Sequence, residues 1–130
     1  MTVEEGATYT HERTFTREDV RQFADVTGDT QAIHTEPDAD GRVVVHGLLT
    51  GSLLTKIGGD LTVLASRMDF HFRRPVYTGD TVRCTWTNER VVERADGLDV
   101  VAEVVCHRIE GGEPADVVLE ATVEGLIPEE

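Results

Sequence analysis

Residues 46–59 carry apolar side chains around nearly the whole circumference of a helix, and this stretch constrains the fold more than any other. The apolar positions are Leu48, Leu49, Leu53, Leu54 and Ile57, with the small residues Gly51 and Ser52 between them. A helix that is apolar on most of its sides is a buried helix. The pattern therefore predicts a buried central helix that starts beside His46 and ends at Gly58-Gly59.

After this helix, apolar and polar residues alternate in the way that is typical of β-strands with one buried face. The alternating segments are residues 68–73, 82–87, 100–109 and 117–123. Asp96-Gly97 and Gly111-Gly112 are hairpin turn signals that separate the later strands. The second half of the chain is thus predicted to be four long strands joined by hairpin turns.

The first part of the chain predicts one strand and one surface helix. Residues 8–15 mix aromatic and threonine residues with polar ones, as an opening strand does. Thr16 with Asp19 three positions later is typical of a capped helix start. Gly28 is the expected end of that helix, and residues 35–42 are predicted to form an exposed loop.

This order of elements predicts a single α+β domain over residues 1–130, with an antiparallel β-sheet wrapped around the buried helix. A sheet of this kind has an open edge, and long edges usually pair, so a homodimer is expected. Cys84 and Cys106 lie in strand-like apolar segments. That setting favours reduced core residues over a disulfide or a metal site.

The net charge of −13 argues against nucleic acid and anionic membrane surfaces as partners. No apolar run approaches the length of a membrane span. The N-terminal residues lack the pattern of a signal peptide, so the expected location is cytoplasmic. Lys56 is the only lysine beside eleven arginines. With the acidic charge, this bias indicates a halophilic protein; the alternative is an ordinary acidic cytoplasmic protein.

The segment that carries chemistry is the one between the two predicted helices. Asp29 and His34 stand five residues apart, so an acid and an imidazole can meet on one small molecule. Gly47 opens the central helix and offers bare backbone N–H groups to a developing negative charge. Proton-transfer groups beside such a helix end are what the addition of water to an activated carbonyl compound, or its removal, requires.

Together these motifs resemble the MaoC-like branch of the hot-dog fold, the family of (R)-specific enoyl-CoA hydratases and dehydratases. The matching residues are Phe23-Ala24, Gly28-Asp29, Ile33-His34, His46-Gly47-Leu48-Leu49, Ser52-Leu53, Phe70, Phe72, Pro75-Val76 and Gly79-Asp80. The resemblance implies a hot-dog fold and a hydro-lyase that reversibly hydrates trans-2-enoyl-CoA to (R)-3-hydroxyacyl-CoA. It implies no cofactor beyond the coenzyme A of the substrate.

Carried over residue by residue, the resemblance implies that Asp29 and His34 are the catalytic pair. Gly47 would bind the thioester oxygen, and Thr55 would support the site from the central helix. His46 would also belong to the substrate-binding residues, where it would orient the start of that helix. His34 is suited to take a proton from water, while Asp29 would hold the same water and protonate the α-carbon on the same face. The family usually has Asn-Pro where this chain has Gln31-Ala32.

Several alternatives stay open at this stage. A hot-dog acyl-CoA thioesterase is the main rival, although residues 48–57 contain no carboxylate of the kind many such enzymes place on the central helix. A non-catalytic acyl-CoA-binding module is the third class. Asp29 is also an ordinary turn residue after glycine, and His34, Glu36 and His46 lack the spacing of a metal site. Arg73-Arg74 and Lys56 would meet the coenzyme A phosphates or simply face solvent.

Overall fold

The computed structural model describes residues 3–129 and contains one five-stranded antiparallel sheet with its helices. The elements are β1 (Thr8–Thr14), α1 (Arg17–Thr27), α2 (Ala32–Thr35), α3 (Gly47–Gly51), α4 (Leu53–Asp60), β2 (Leu64–Phe72), β3 (Thr81–Arg94), β4 (Gly97–Glu110) and β5 (Glu113–Pro128). The strands lie in the order β1-β3-β4-β5-β2. The predicted α+β class and the predicted number of strands are confirmed.

Helix α1 begins and ends where its capping residues predict. The Thr16 hydroxyl accepts from the Asp19 N–H at 3.1 Å, and the Asp19 carboxylate accepts from the Thr16 N–H at 3.0 Å. Gly28 adopts the left-handed conformation with φ 79°, and its N–H donates to the Ala24 carbonyl at 2.8 Å. Glycine adopts this conformation at no steric cost, so the chain leaves the helix at a defined angle just before Asp29.

The central helix differs from its prediction in two ways. It is divided at Ser52 into α3 and α4, although Ser52 keeps a helical backbone and its N–H donates to the Leu48 carbonyl at 2.9 Å. The expected end at Gly58-Gly59 is wrong, because α4 continues to Asp60. Gly58 lies inside the helix beside the buried Trp86 ring, which a Cβ at this position would meet at an ordinary contact distance of 3.6 Å.

Both hairpins form near their predicted turns, although the first turn consists of Ala95 and Asp96, one residue before the predicted Asp96-Gly97. Glu110 pairs with Glu113 across Gly111 and Gly112, which have φ values of 59° and 82°. Two successive positive φ values are what a tight type I′ hairpin needs. The other hairpin pairs Arg94 with Gly97, so both turns connect strands in the register that sets the buried face.

One face of the sheet and the helices enclose the core. Trp86, Phe15, Leu54 and Leu119 are among its largest fully buried side chains. Cys84 and Cys106 face each other across β3 and β4 and are buried free thiols, as predicted. The neighbouring Cys106 thiol and burial together raise the pKa of the Cys84 thiol, which keeps it protonated and unreactive.

The two outer strands of the sheet are β1 and β2. Strand β2 is mostly exposed, and its exposed side chains include the large apolar ones of Leu64, Met68 and Phe72. Within residues 3–129, no helix combines the length and the apolarity that crossing a lipid bilayer would require.

Candidate active site

The loop after α1 turns Asp29 toward His34 by local hydrogen bonds. Asp29 Oδ1 accepts from the Gln31 side-chain amide at 2.9 Å and from the Gln31 backbone N–H at 3.4 Å. The next residues form the single helical turn α2, which carries His34 and was expected as plain loop. Gln31 therefore holds this loop through its amide, in the position where the family usually has Asn.

His34 is buried, and its tautomer follows from its partner. His34 Nδ1 lies 2.6 Å from the Val44 carbonyl oxygen, and a carbonyl only accepts, so Nδ1 carries the proton. The unprotonated Nε2 then faces Asp29 Oδ2 at 3.7 Å. Two acceptors at this separation can both accept hydrogen bonds from one water molecule, which is the arrangement that a water-activating pair requires.

Asp29 is set up to stay ionised. Its side chain is 38% exposed, and the Gln31 side-chain amide lowers its pKa, with smaller contributions in the same direction from the Gln31 N–H and from His34. A hydrogen bond to the charged form stabilises that form. At neutral pH Asp29 is therefore a carboxylate that accepts hydrogen bonds and a poor source of protons.

His46 packs behind this pair. Its Nε2 donates to the Asp29 carbonyl oxygen at 2.9 Å, and its ring stacks on His34 and contacts Phe23. This tautomer leaves Nδ1 unprotonated, and that atom is buried without a partner among residues 3–129. The predicted role at the helix start is met in part, because His46 links the start of α3 to the Asp29 backbone.

Asp29, His34 and His46 also form a cluster whose ligand-type atoms lie within 4.8 Å of one another. A metal ion binds an imidazole nitrogen along the lone pair in the ring plane. The rings of His34 and His46 are stacked at 17° to each other, so both lone pairs cannot point at one ion. His46 Nε2 is in addition a donor to a carbonyl, and the cluster does not fit a metal.

A cavity of about 360 Å³ lies on the open side of His34. Its wall contains His34, Gly47, Thr50, Phe72, Arg74 and the aliphatic residues Val45, Val76 and Val118. Asp29 and His46 do not belong to this wall, but Asp29 Oδ2 lies 3.7 Å from Nε2 of the wall residue His34. A largely apolar pocket with a few polar groups at one end is the usual form of a small-molecule site.

Gly47 stands at the start of α3, where the first backbone N–H groups have no helical partner. A Cβ at this position would meet the Phe72 ring at 3.0 Å. The absence of a side chain lets the ring close over the helix start, and it leaves the backbone of residue 47 accessible from the cavity.

The structure does not bring Thr55 to this site. Its side chain is exposed on α4, and its hydroxyl donates to the Ser52 carbonyl oxygen. Thr50, one turn after Gly47, lines the cavity instead and is 3% exposed. The sequence signal for Thr50 was its helical spacing from Gly47, which places residues i and i+3 on the same face.

A second groove of about 290 Å³ adjoins the cavity, and Arg74, Pro75 and Val118 belong to the walls of both. Arg42 and Arg108 also line this groove, and the Arg42 guanidinium lies 4.3 Å from the centre of the Tyr77 ring. Arg42 and Arg108 are paired with carboxylates, whereas no carboxylate of residues 3–129 lies within 4.0 Å of Arg74. The other predicted phosphate ligands, Arg73 and Lys56, are paired with Glu120 and Asp60.

Comparison with known proteins decides the family. The sequence profile described as the MaoC-like domain matches residues 2–108. The chain belongs to the MaoC-like dehydratase family. The 3-hydroxyacyl-thioester dehydratase Z of Mycobacterium tuberculosis is 29% identical over 123 residues, which cover 85% of this chain and 82% of that protein.

Solved structures of this family share the fold. The unliganded R-hydratase PhaJ1 from Pseudomonas aeruginosa superposes with a TM-score of 0.83 at 20% identity, over 98% of this chain and 84% of that one. The (R)-hydratase of A. caviae involved in PHA biosynthesis gives a TM-score of 0.79 at 23% identity, over 98% of both chains. The predicted hot-dog fold of this MaoC-like protein is confirmed.

Proposed function

We propose that this MaoC-like protein is a hydro-lyase that reversibly hydrates trans-2-enoyl-CoA to (R)-3-hydroxyacyl-CoA. The proposal depends above all on the 3.7 Å separation of Asp29 Oδ2 and His34 Nε2. These two acceptors hold one water molecule beside a cavity that also contains the backbone of Gly47. That combination serves water addition to a polarised enoyl thioester.

In the hydration direction, the water held by Asp29 and His34 attacks the β-carbon while His34 Nε2 takes its proton. The imidazolium formed then returns a proton from Nε2 to the α-carbon on the same face, while Nδ1 keeps its proton on the Val44 carbonyl throughout. Since the Gln31 amide lowers the pKa of Asp29, Asp29 holds the water as a carboxylate. The expected role of Asp29 as the proton donor to the α-carbon is thereby assigned to His34.

The β-carbon becomes electrophilic only if negative charge can develop on the thioester oxygen. In this proposal the Gly47 N–H donates to that oxygen. One such donor is typically worth about 3 kcal/mol in the transition state. The dehydration of the 3-hydroxyacyl thioester uses the same groups in reverse order and needs no cofactor.

Coenzyme A is the proposed carrier of the acyl group. The groove with Arg42, Arg74 and Arg108 shares part of its wall with the cavity, so the carrier of an acyl chain held in the cavity would lie in this groove. Guanidinium groups bind phosphates with two parallel hydrogen bonds. Arg74 is the main proposed phosphate ligand because it lies where the two spaces meet.

A homodimer is the proposed assembly, and a cytoplasmic location remains the expectation. The exposed strand β2 offers unpaired backbone groups together with apolar side chains, including Met68 and Phe72. Ile33 and Leu48, near the cavity, are also exposed large apolar residues. A second copy of the chain would cover this surface, and the measurement is the molar mass by light scattering after size exclusion.

The experiment that tests the reaction is incubation of the purified protein with crotonyl-CoA at molar salt. We expect a loss of enoyl absorbance and the formation of 3-hydroxybutyryl-CoA whose configuration is R. Release of free thiol in a parallel chromogenic assay would instead indicate a thioesterase. Binding of crotonyl-CoA with neither change would indicate an acyl-CoA-binding module, and either of these results would refute the proposal.

A further inference from the structure

Thr50 has a buried hydroxyl that no side chain or backbone group of residues 3–129 satisfies. Threonine in a helix usually donates to the carbonyl three or four residues earlier. Three other helical threonines of this chain do so: Thr27 donates to the Phe23 carbonyl at 2.8 Å, Thr35 to the Gln31 carbonyl at 3.3 Å and Thr55 to the Ser52 carbonyl. Thr50 therefore differs from the other helical threonines of this chain.

An unpaired buried hydroxyl lowers the stability of the fold, and native proteins contain few of them. The hydroxyl oxygen is buried in the free protein, but Thr50 belongs to the wall of the same cavity as His34 and Gly47. The valine side chains around it offer no hydrogen-bond partner. A ligand that enters the cavity with an acceptor atom would satisfy it.

We propose that the Thr50 hydroxyl donates a hydrogen bond to the carbonyl oxygen of the bound thioester. The proposal rests on the proposed function, because it takes the thioester as the ligand. Gly47 and Thr50 lie three residues apart on one helix face, so both can reach the same end of the substrate. Asp29 and His34 bind the water molecule in this scheme, so the acceptor left for Thr50 is the carbonyl oxygen of the thioester.

Loss of this hydroxyl should have different effects on the melting temperature of the free protein and on turnover of the substrate. Thr50→Val keeps the shape of the side chain and removes only the unpaired group, so the unliganded protein should melt at the same temperature or higher. Turnover of crotonyl-CoA should fall on the order of 10²-fold, mainly in kcat. A hydroxyl with a purely structural role would give a lower melting temperature and unchanged turnover.

Two control variants keep the comparison sharp. Thr50→Ser retains the hydroxyl and should retain turnover to within about 3-fold of the unmodified protein. Thr10→Val makes the same chemical change at an exposed position on β1, and it should leave turnover unchanged. Loss of turnover in the Thr10→Val variant as large as in Thr50→Val would overturn the proposal.

The contact itself is measured on the non-reacting thioester butyryl-CoA, labelled with ¹³C at its carbonyl carbon, by infrared difference spectroscopy. A hydrogen bond from Thr50 lowers the carbonyl stretching frequency in the complex. We expect the band to move to higher frequency in Thr50→Val and to stay in place in Thr50→Ser and Thr10→Val. An unmoved band in Thr50→Val, or no binding of butyryl-CoA, refutes the contact. A Thr50-dependent band without crotonyl-CoA hydration would support the contact while refuting the proposed reaction.

Discussion

The imidazole ring of His46 lies flat against that of His34, with ring centroids 3.7 Å apart. His46 Nε2 also holds the Asp29 carbonyl oxygen. A single buried side chain thus contacts both members of the proposed catalytic pair. It restrains the ring of one and the backbone of the other, which fixes their separation.

The first prediction concerns that restraint. His46→Phe keeps an aromatic ring against His34 but cannot donate to the Asp29 carbonyl, so kcat on crotonyl-CoA should fall about 10-fold or more, since an unpaired carbonyl costs about 1–3 kcal/mol. His46→Leu loses the stacking as well, and its melting temperature should be the lower of the two. Equal kcat in His46→Phe and the unmodified protein would show that the hydrogen bond does not position Asp29.

The second prediction concerns the pair itself. Asp29→Asn and His34→Ala should each lower turnover of crotonyl-CoA by two or more orders of magnitude. Circular dichroism should be unchanged, which separates lost chemistry from lost fold. Asp25→Asn, an exposed aspartate on α1 that pairs with Arg21, is the matched control and should keep full activity. Normal turnover in either active-site variant would reject the assignment.

The third prediction concerns the charge on Asp29. Gln31→Ala removes the amide that lowers the pKa of Asp29, so this pKa should rise toward the ordinary value of an aspartate. The measurement is the carboxyl ¹³C titration of Asp29 by NMR. Gln22→Ala removes a glutamine amide that donates to Glu18 on α1, and it should leave the Asp29 titration in place. A titration of Asp29 that is the same with and without Gln31 would contradict the assigned cause.

The fourth prediction concerns the start of α1. The Arg13 guanidinium, with the Thr16 N–H, lowers the pKa of Asp19, so the ionised form is the one that stabilises the fold. Asp19→Asn should cost about 1 kcal/mol at neutral pH. Because the folded pKa lies below the unfolded one, this contribution is present above the unfolded pKa and is lost as pH falls through the folded pKa. Urea unfolding of both proteins should therefore show a gap that closes in acid.

The fifth prediction concerns salt. With a net charge of −13, repulsion between surface carboxylates opposes the folded state. Raising potassium chloride from about 0.1 M to about 1 M shortens the screening length from about 10 Å to about 3 Å. The melting temperature should rise over this interval. An unchanged melting temperature would favour the ordinary acidic protein over the halophilic one.

The features that could be predicted from sequence are those that local chemistry decides. Thr16 with Asp19 predicts the start of α1, Gly28 its end, and Gly111-Gly112 the last hairpin, because a few neighbouring residues satisfy the backbone in each case. Asp29 and His34 were paired by their spacing and by family resemblance, and their side chains do meet. Their catalytic roles remain predictions.

The features that could not be predicted depend on packing between distant residues. Gly58 lies inside the helix and next to Trp86 of β3, and no local signal contains that contact. Thr55 and Thr50 are both helix threonines, and only the tertiary structure shows which one faces the cavity. The stacking of His46 on His34 joins residues whose contact depends on the turn α2.

Phe72 packs closely against Gly47, so the size of the side chain at position 47 affects the width of the cavity entrance. Phe72 is half exposed and forms part of the cavity wall, so a methyl group on residue 47, which would lie 3.0 Å from the ring, would push the ring outward. An alanine there would alter which acyl groups fit as well as how their oxygen is bound. The absence of a Cβ at residue 47 thus affects both the size of substrate that fits and the activation of its carbonyl group.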